Sequence, residues 1–256
     1  MQGQDPIIGR RRLFRPSTGS TNTDLMRMAA DDPGLEEGLV LQAGEQTAGK
    51  GRQGREWLAT PGETLCFSIL LKPDVPPEVA STLPLVIGSA VAMALEGMCP
   101  KAGIGIKWPN DILSDGRKLC GILCEMSAEG EHLRHIVAGV GMNISCASLP
   151  ESLSGIATSI EAVSGKCLDV DSVFDVTLLS IDRLYRTWCA EGFKAVLPDV
   201  AKRDLLRGGH VRIDAGGMMV EGVASGIADD GALLVMCKDG HVERVYSGDA
   251  HLMRGQ

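Results

Sequence analysis

Two stretches of the chain hold the residues best suited to chemistry. The first is Lys107-Trp108-Pro109-Asn110-Asp111-Ile112, followed closely by Lys118-Leu119-Cys120-Gly121-Ile122-Leu123. It sets two lysines, an acid and an amide inside apolar sequence. The second is Gly49-Lys50-Gly51-Arg52-Gln53-Gly54-Arg55-Glu56-Trp57. Its glycines allow a backbone to approach a ligand closely. Its arginine forks match phosphate and carboxylate oxygens. Three cations among three glycines, in an acidic chain, point to an anion site, although a solvated surface loop could have the same composition. The spacing Gly-x-Gly-x-x-Gly also occurs in dinucleotide folds, but that reading needs a helix directly after the glycines. Here Trp57-Leu58-Ala59-Thr60-Pro61-Gly62 follows and ends in a turn, which excludes it.

Local pattern predicts the elements that position these residues. Gly103–Trp108 alternates apolar with small or charged residues and reads as a strand. Pro109 has no N–H for a ladder and stops it, leaving Asn110 and Asp111 at the strand end. Ser114-Asp115-Gly116-Arg117 reads as a turn. Lys118–Met126 returns as a second strand, with Lys118 at the mouth of the hairpin. An ordinary hairpin with a solvated lysine would show the same pattern. Residues 1–16 form a short arm, with a first strand starting at Leu13-Phe14. Ser20 or Thr21 is a natural N-cap for a helix through Leu25, Met26, Met28 and Ala29. Ser20, Thr21 and Asn22 can serve as capping groups alone or offer hydroxyl and amide groups to a polar ligand head. Leu39–Leu41 and Thr64–Lys72 are strands and Pro76–Met98 a helix. His135–Ile144 is a strand whose Gly139 and Gly141 leave room for a ligand near the sheet, with Asn143 able to bond it; a simple packing strand is the alternative. Asp171–Cys189 is an amphipathic helix.

Composition shifts near residue 204. Beyond it come short alternating strands, Val211–Asp214, Met218–Ile227, Leu233–Cys237, Val242–Tyr246 and Leu252–Arg254, separated by glycine turns. They suggest a small closed β-barrel of about fifty residues.

The net charge of the 256 residues is −8, and no basic block exists beyond Arg10-Arg11-Arg12. Non-specific nucleic-acid binding has little support. The first twenty residues lack a signal-peptide core. The longest apolar run, Leu83–Met98, is broken by Gly88 and Gly97, and no run is expected to span a bilayer. The eight cysteines include no Cys-x-x-Cys pair, which argues against a zinc knuckle. Cys120 and Cys124 share one strand face and read as buried thiols. His132 and His135, in a Gly/Glu-rich turn, lack the partners of a metal site, and no metal ligands are assigned.

At this point the residues carry a family resemblance. The chain resembles the biotin protein ligases, or biotin–[acetyl-CoA-carboxylase] ligases. The family loop reads roughly Gly-Arg-Gly-Arg-x-Gly-Arg-x-Trp, matched at Gly49–Trp57. The family hairpin reads Lys-Trp-Pro-Asn-Asp, then Lys-x-x-Gly-Ile-Leu, matched at Lys107–Asp111 and Lys118–Leu123. Ser20-Thr21-Asn22, Gly139–Asn143 and a C-terminal SH3-like barrel also fit, so the match runs over residues 13–254. Lys50 departs from the usual arginine; it keeps the charge but loses the fork. No winged helix-turn-helix precedes Leu13, so the ligase-only type is expected, without DNA binding.

The resemblance implies an α+β fold: a mixed sheet flanked by helices, like class II aminoacyl-tRNA synthetases, over residues 1–203, with the SH3-like domain over 204–256. It implies an ATP-dependent ligase that makes biotinyl-5′-AMP and passes biotin to a lysine of a biotin carboxyl carrier domain. Lys118, Arg52, Arg55 and Asp111 would be catalytic. Ser20, Thr21, Asn22, Gln46, Lys50, Gly51, Arg52, Lys118 and Gly121 would hold biotin. Lys50, Arg52, Arg55, Trp57, Asn110, Lys118 and Asn143 would hold ATP, with Mg²⁺ expected. The loop 49–57 would be mobile when empty and order over the adenylate. A cytoplasmic protein is implied, with no membrane partner and a homodimer left open. The alternatives are a lipoate–protein ligase and a non-catalytic module on the same scaffold.

Overall fold

Chain direction and strand parity decide which side chains reach the site. The computed structural model describes residues 5–130, 132–147 and 150–253; Arg254 of the expected last strand and the outermost residues of both expected domains lie outside these. Strand β1 (Arg12–Arg15) runs into helix α1 (Thr21–Asp31), then β2 (Val40–Ala43) and β3 (Thr64–Leu71). Helices α2 (Pro77–Ala80) and α3 (Leu83–Met98) follow. Next come β4 (Ile104–Lys107), β5 (Asp111–Ser114), β6 (Arg117–Glu129) and β7 (His132–Asn143). Helices α4 (Ile160–Ser164), α5 (Val170–Glu191) and α6 (Phe193–Lys202) lead into β8 (His210–Asp214), β9 (Met219–Ile227), β10 (Leu233–Met236), β11 (Val242–Val245) and β12 (Asp249–Leu252).

The first seven strands form one mixed sheet in the order β1-β2-β3-β7-β6-β5-β4, with β1 and β2 parallel. Because side chains alternate along a strand, β3 sends Leu65, Phe67, Ile69 and Leu71 into the main core with α3 and α5, and Leu70 to the opposite face. There Leu70 and Val137 meet Leu25 and Ala29 of α1. Helix α1 packs against β2, β3 and β7. The same face over β6 and β5 carries the site.

Several expectations change here. The single hairpin is a three-stranded meander: β4 pairs with β5 around Trp108-Pro109-Asn110, and β5 pairs with β6 around Asp115-Gly116. The Trp108–Pro109 peptide is cis. Asp115 and Gly116 both have positive φ, 50° and 77°, the geometry of a two-residue hairpin turn. The expected helix 76–98 breaks at Ser81-Thr82. Pro84 has no N–H, and its ring would clash with the carbonyl four residues back, at Ala80. His132 and His135 lie on β7 rather than in a turn, His132 exposed and His135 buried. Taken together, Pro77–Met98 has the length and composition of a membrane span, contrary to expectation. In this fold Leu83, Val86, Ile87, Ala90 and Val91 are buried in the main core. Helices α4 and α6 had no counterpart in the sequence reading.

The last five strands form one antiparallel sheet, ordered β11-β10-β9-β8-β12. Its final strand starts at Asp249, three residues earlier than expected, and its outer strands β11 and β12 are not paired to each other among the described residues. The linker into this sheet extends the large one. Ile106 N–H donates to Arg203 C=O at 2.7 Å, and Leu205 N–H to Ile106 C=O at 3.0 Å. Buried Arg203 forks onto Glu96 at 3.0 and 2.7 Å and donates to Asp199 C=O at 2.8 Å. Arg203→Ala should therefore destabilise the protein by about 2 kcal/mol, below the roughly 3–5 kcal/mol of a fully buried pair because Glu96 is partly exposed. Urea denaturation would measure this, and Arg203→Lys should recover only part, since it restores charge without the fork.

Candidate active site

The register of β5 on β6 sets the direction of the central lysine. Ile112 pairs with Cys120, but Leu113 pairs with Lys118, so Leu119 is the extra residue of a register shift. Without it, Lys118 would share the core-facing parity of Cys120 and Ile122. The shift re-aims Lys118 to the open face, with Asp111 and Gly121. Lys118 Nζ lies 2.7 Å from Asp111 Oδ1 and 5.4 Å from the centre of the Trp57 ring, within cation–π range.

These residues line a cavity of about 150 Å³. One end is neutral and polar. Thr21 N–H and Oγ1–H donate to Gln46 Oε1 at 2.7 and 3.0 Å. Ser68 Oγ lies 2.6 Å from Asn22 Oδ1 and 2.7 Å from Thr21 Oγ1. Asn22 Nδ2 donates to Leu123 C=O at 3.1 Å and to Glu125 Oε2 at 2.8 Å. Ser20 takes the N-cap position of α1 without a side-chain cap bond and lines the cavity. The other end is cationic, with Lys50, Arg52, Arg55, Lys107 and Lys118 against Glu56, Asp111 and Asp249. In a chain of net charge −8 this concentration favours an anion. Burial is the main influence on Lys107 and Arg52, lowering both from their ordinary values; nearby Asp111 and Asp249 act in the other direction.

The loop 49–57 takes a defined path. Gly51 N–H donates to Arg55 C=O at 2.7 Å, and a 3-10 turn spans Arg52–Gly54. Arg52 Nη1 donates to Asn110 Oδ1 at 3.2 Å and Gly248 C=O at 3.3 Å. Asn110 is itself fixed, its Nδ2 donating to Ile122 C=O at 2.7 Å. The glycines seat protein side chains. A Cβ at Gly139 would overlap the Asn22 amide, and one at Gly141 would overlap the Trp57 indole.

Every sequence-named residue except Asn143 lines the cavity. Asn143 Nδ2 instead donates to Thr158 C=O at 3.0 Å and Lys118 C=O at 3.4 Å, holding the later loop against β6. Sequence reasoning missed Ser68, Glu125, Asp249 and His251. Ser68 had one available signal, a hydroxyl inside an otherwise apolar central strand, since buried polar groups need partners. The pairing of Asp249 with the loop spans 194 residues and has no local signature. Among the described residues no group of three or more His, Cys, Asp or Glu is arranged to hold a metal ion.

Comparison with known proteins agrees with this geometry. The Biotin/lipoate A/B protein ligase family model matches residues 15–143, and the Biotin protein ligase C terminal domain model matches residues 208–253. The chain is 35% identical over 262 residues to the Biotin--[acetyl-CoA-carboxylase] ligase of Mycobacterium tuberculosis, covering 98% of this chain and 94% of that protein. It is 33% identical over 250 residues to the Bifunctional ligase/repressor BirA of Bacillus spizizenii, covering 96% and 75%. The biotin protein ligase from Aquifex aeolicus, solved in complex with biotin and ATP, matches with a TM-score of 0.82 at 28% identity, covering 96% of this chain and all of that one. The chain belongs to the biotin/lipoate A/B protein ligase family. Within that family it stands with the biotin protein ligases, whose C-terminal domain it shares.

Trp57 offers a direct check on the site. Trp108 and Trp188 are 2% and 1% exposed, whereas Trp57 lies in the cavity wall. Gly141→Ala should expel its indole, red-shift tryptophan emission and weaken ligand binding by about tenfold, ~1.4 kcal/mol. The shift should vanish in a Trp57→Phe background; a shift that persists there would place the disturbance elsewhere.

Proposed function

We propose a division of labour in this cavity for biotin activation and transfer. The chain is an ATP-dependent ligase that forms biotinyl-5′-AMP and passes biotin to a carboxylase. The supporting observation is the joining of a neutral polar end to a cationic end in one cavity. Biotin is a neutral bicyclic ring with a carboxylate tail, and its two ends match this asymmetry. Thr21 and Gln46 bind the ring's polar edge, with Ser20 beside them. Asn22 orients this group through Ser68 and Glu125.

In the first step a biotin carboxylate oxygen attacks the α-phosphorus and the bond to pyrophosphate breaks. Two anions must come together. At 4 Å and an effective dielectric of about 20 their repulsion is roughly 4 kcal/mol per charge pair. Lys118 sits between the ends, where it stabilises charge on both partners. Arg52, Arg55, Lys50 and Lys107 screen the phosphates, with Trp57 and Asn110 on the nucleotide side. Magnesium is often bound by one or two carboxylates plus substrate phosphates; Asp111 would hold it together with the nucleotide's phosphates, and it would neutralise phosphate charge there. The loop 49–57 keeps water from the mixed anhydride.

In the second step the acceptor lysine's amine attacks the acyl carbon and AMP leaves. Asp111 orients that amine. The acceptor is a biotin carboxyl carrier domain, met in the cytoplasm; net charge −8 gives DNA phosphates little attraction. We take residues 1–203 as the catalytic unit and 204–256 as the C-terminal domain, divided where the linker leaves β4.

Pyrophosphate exchange separates the ligase readings. Biotin should drive it and lipoate should not; the reverse would make the chain a lipoate ligase. Lys118→Ala should slow biotin-dependent exchange by about 10²–10³ while biotin binding falls less. Near-normal exchange would remove Lys118 from the chemistry. Arg52→Gly should still form adenylate but release it early, labelling bystander lysines. Slow formation without released intermediate would leave Arg52 as a charge contact only.

A further inference from the structure

The strongest contact between the glycine loop and the C-terminal sheet involves no residue of the sequence motifs on the sheet side. Arg55 Nη2 lies 2.7 and 2.8 Å from the two carboxylate oxygens of Asp249. Arg52 Nη1 lies 4.0 Å from the same carboxylate and donates to the preceding carbonyl, Gly248 C=O, at 3.3 Å. Two consecutive residues at the entry to β12, Gly248 and Asp249, therefore meet two arginines of the loop.

The C-terminal side of this contact is firmly built. Asp249 opens β12 and pairs with Asp214 of β8. Gly248 has φ +146°, and a Cβ there would lie within 2.6 Å of Asp214 C=O. The chain thus turns sharply onto β8, with the Gly248 carbonyl and the Asp249 carboxylate both directed at the loop. On the loop side Gly54 has φ +73°, and a Cβ there would meet nothing within 4 Å; apart from Asp249 and Gly248, the side-chain tie of this tip is Arg52 on Asn110. Its arginines repel one another without an anion between them. Asp249 supplies that anion from a fixed strand.

The geometry points to Asp249 as a positioning residue that latches the glycine loop shut over the cavity through Arg55 and Arg52. The latch biases the empty loop, expected from its glycines to be mobile, toward the closed state, with the carboxylate standing in for substrate phosphate. Nucleotide entry exchanges the carboxylate for phosphate oxygens; once pyrophosphate has left, the carboxylate takes Arg55 back, and the adenylate inside the closed loop escapes only when that pair opens again. This deepens the ligase reading by giving the C-terminal sheet a role in retention. The pair is partly exposed, so its effect is a few-fold rather than orders of magnitude.

The test uses the full-length chain and three substitutions, Asp249→Asn, Asp249→Ala and the conservative Asp249→Glu. Trypsin cleaves after Lys50, Arg52 and Arg55 only when the loop opens, so its rate reports opening when reclosing is fast. In the unliganded protein, Asp249→Asn and Asp249→Ala should raise cleavage at these sites roughly three- to fivefold relative to cleavage elsewhere, with the melting temperature unchanged. Asp249→Glu should stay near wild type. With biotin and ATP, the fraction of adenylate released per adenylate formed should rise in the same two variants. Unchanged loop cleavage overturns the latch. Cleavage that rises equally along the whole chain, with a lowered melting temperature, also overturns it and leaves Asp249 as a structural residue. If loop cleavage rises as expected but wild type forms no adenylate with biotin, the latch stands and the ligase reading falls.

Discussion

The structure depends on keeping like charges close together before any substrate arrives. Lys107, Lys118, Arg52 and Arg55 share one cavity wall with Asp111 and Asp249. Unit charges 4 Å apart repel by roughly 4 kcal/mol at an effective dielectric near 20, so such a wall would spread without compensation. The two carboxylates provide it from different sides. Asp111 comes from β5 within the large sheet and pairs with Lys118. Asp249 comes from the small sheet and pairs with Arg55. The cluster is therefore held in place yet has a net positive wall, which suits an anionic reaction centre.

Both carboxylates depend on backbone devices. Asp111 reaches the open face because β5 exists as a separate strand between two hairpin turns. Lys118 joins it because Leu119 is taken up as an extra residue on β6, with Leu119 and Cys120 both buried. Asp249 is in reach because the small sheet docks in one orientation. The Arg203 fork, the linker's bonds to Ile106, and the 3.0 Å bond from Trp108 Nε1 to Gly231 C=O all contribute to that docking. Trp108 and Asn110 thus face in opposite directions from one short turn, the first tying the C-terminal sheet and the second the glycine loop.

What could be read from the sequence was what lies contiguous in it. The loop 49–57 and the stretches 107–112 and 118–123 each carry their side chains within a few residues, and all three line the cavity. The central strand β3, helices α1 and α5, and the change of character near residue 204 follow from periodicity over longer windows. The misses share a different cause. Strand β5 is only Asp111–Ser114, too short for alternation to separate it from a turn. The break at Ser81-Thr82 interrupts a run that is apolar on both sides, so composition hides it. The shift at Leu119 depends on pairing with β5, which no window on β6 contains. Ser68, Glu125 and Asp249 act through partners between 46 and 194 residues away. Asn143 matched a motif, yet its amide is used to hold the loop at Thr158.

The two ends of the cavity also differ in how their groups are satisfied, and this assigns the ends. In the neutral end Asn22 uses both amide protons on Leu123 C=O and Glu125, which turns its oxygen toward Ser68. Leu123 C=O can only accept, so this orientation follows from the donor inventory. Ser68 gives its single proton to that oxygen or to Thr21, and Gln46 Oε1 accepts from both Thr21 donors. These groups are largely committed before a ligand enters, so the end is rigid and recognises a fixed hydrogen-bond pattern. The cationic end is the reverse. Lys118, Arg52 and Arg55 are paired to carboxylates that a phosphate could replace, and the two arginines sit in a loop whose glycines permit rearrangement. A rigid neutral end and an exchangeable charged end favour a ligand whose recognition element and reactive element are separate groups. Biotin has that form: the ring that is recognised takes no part in the chemistry, and the carboxylate that reacts lies at the end of its chain.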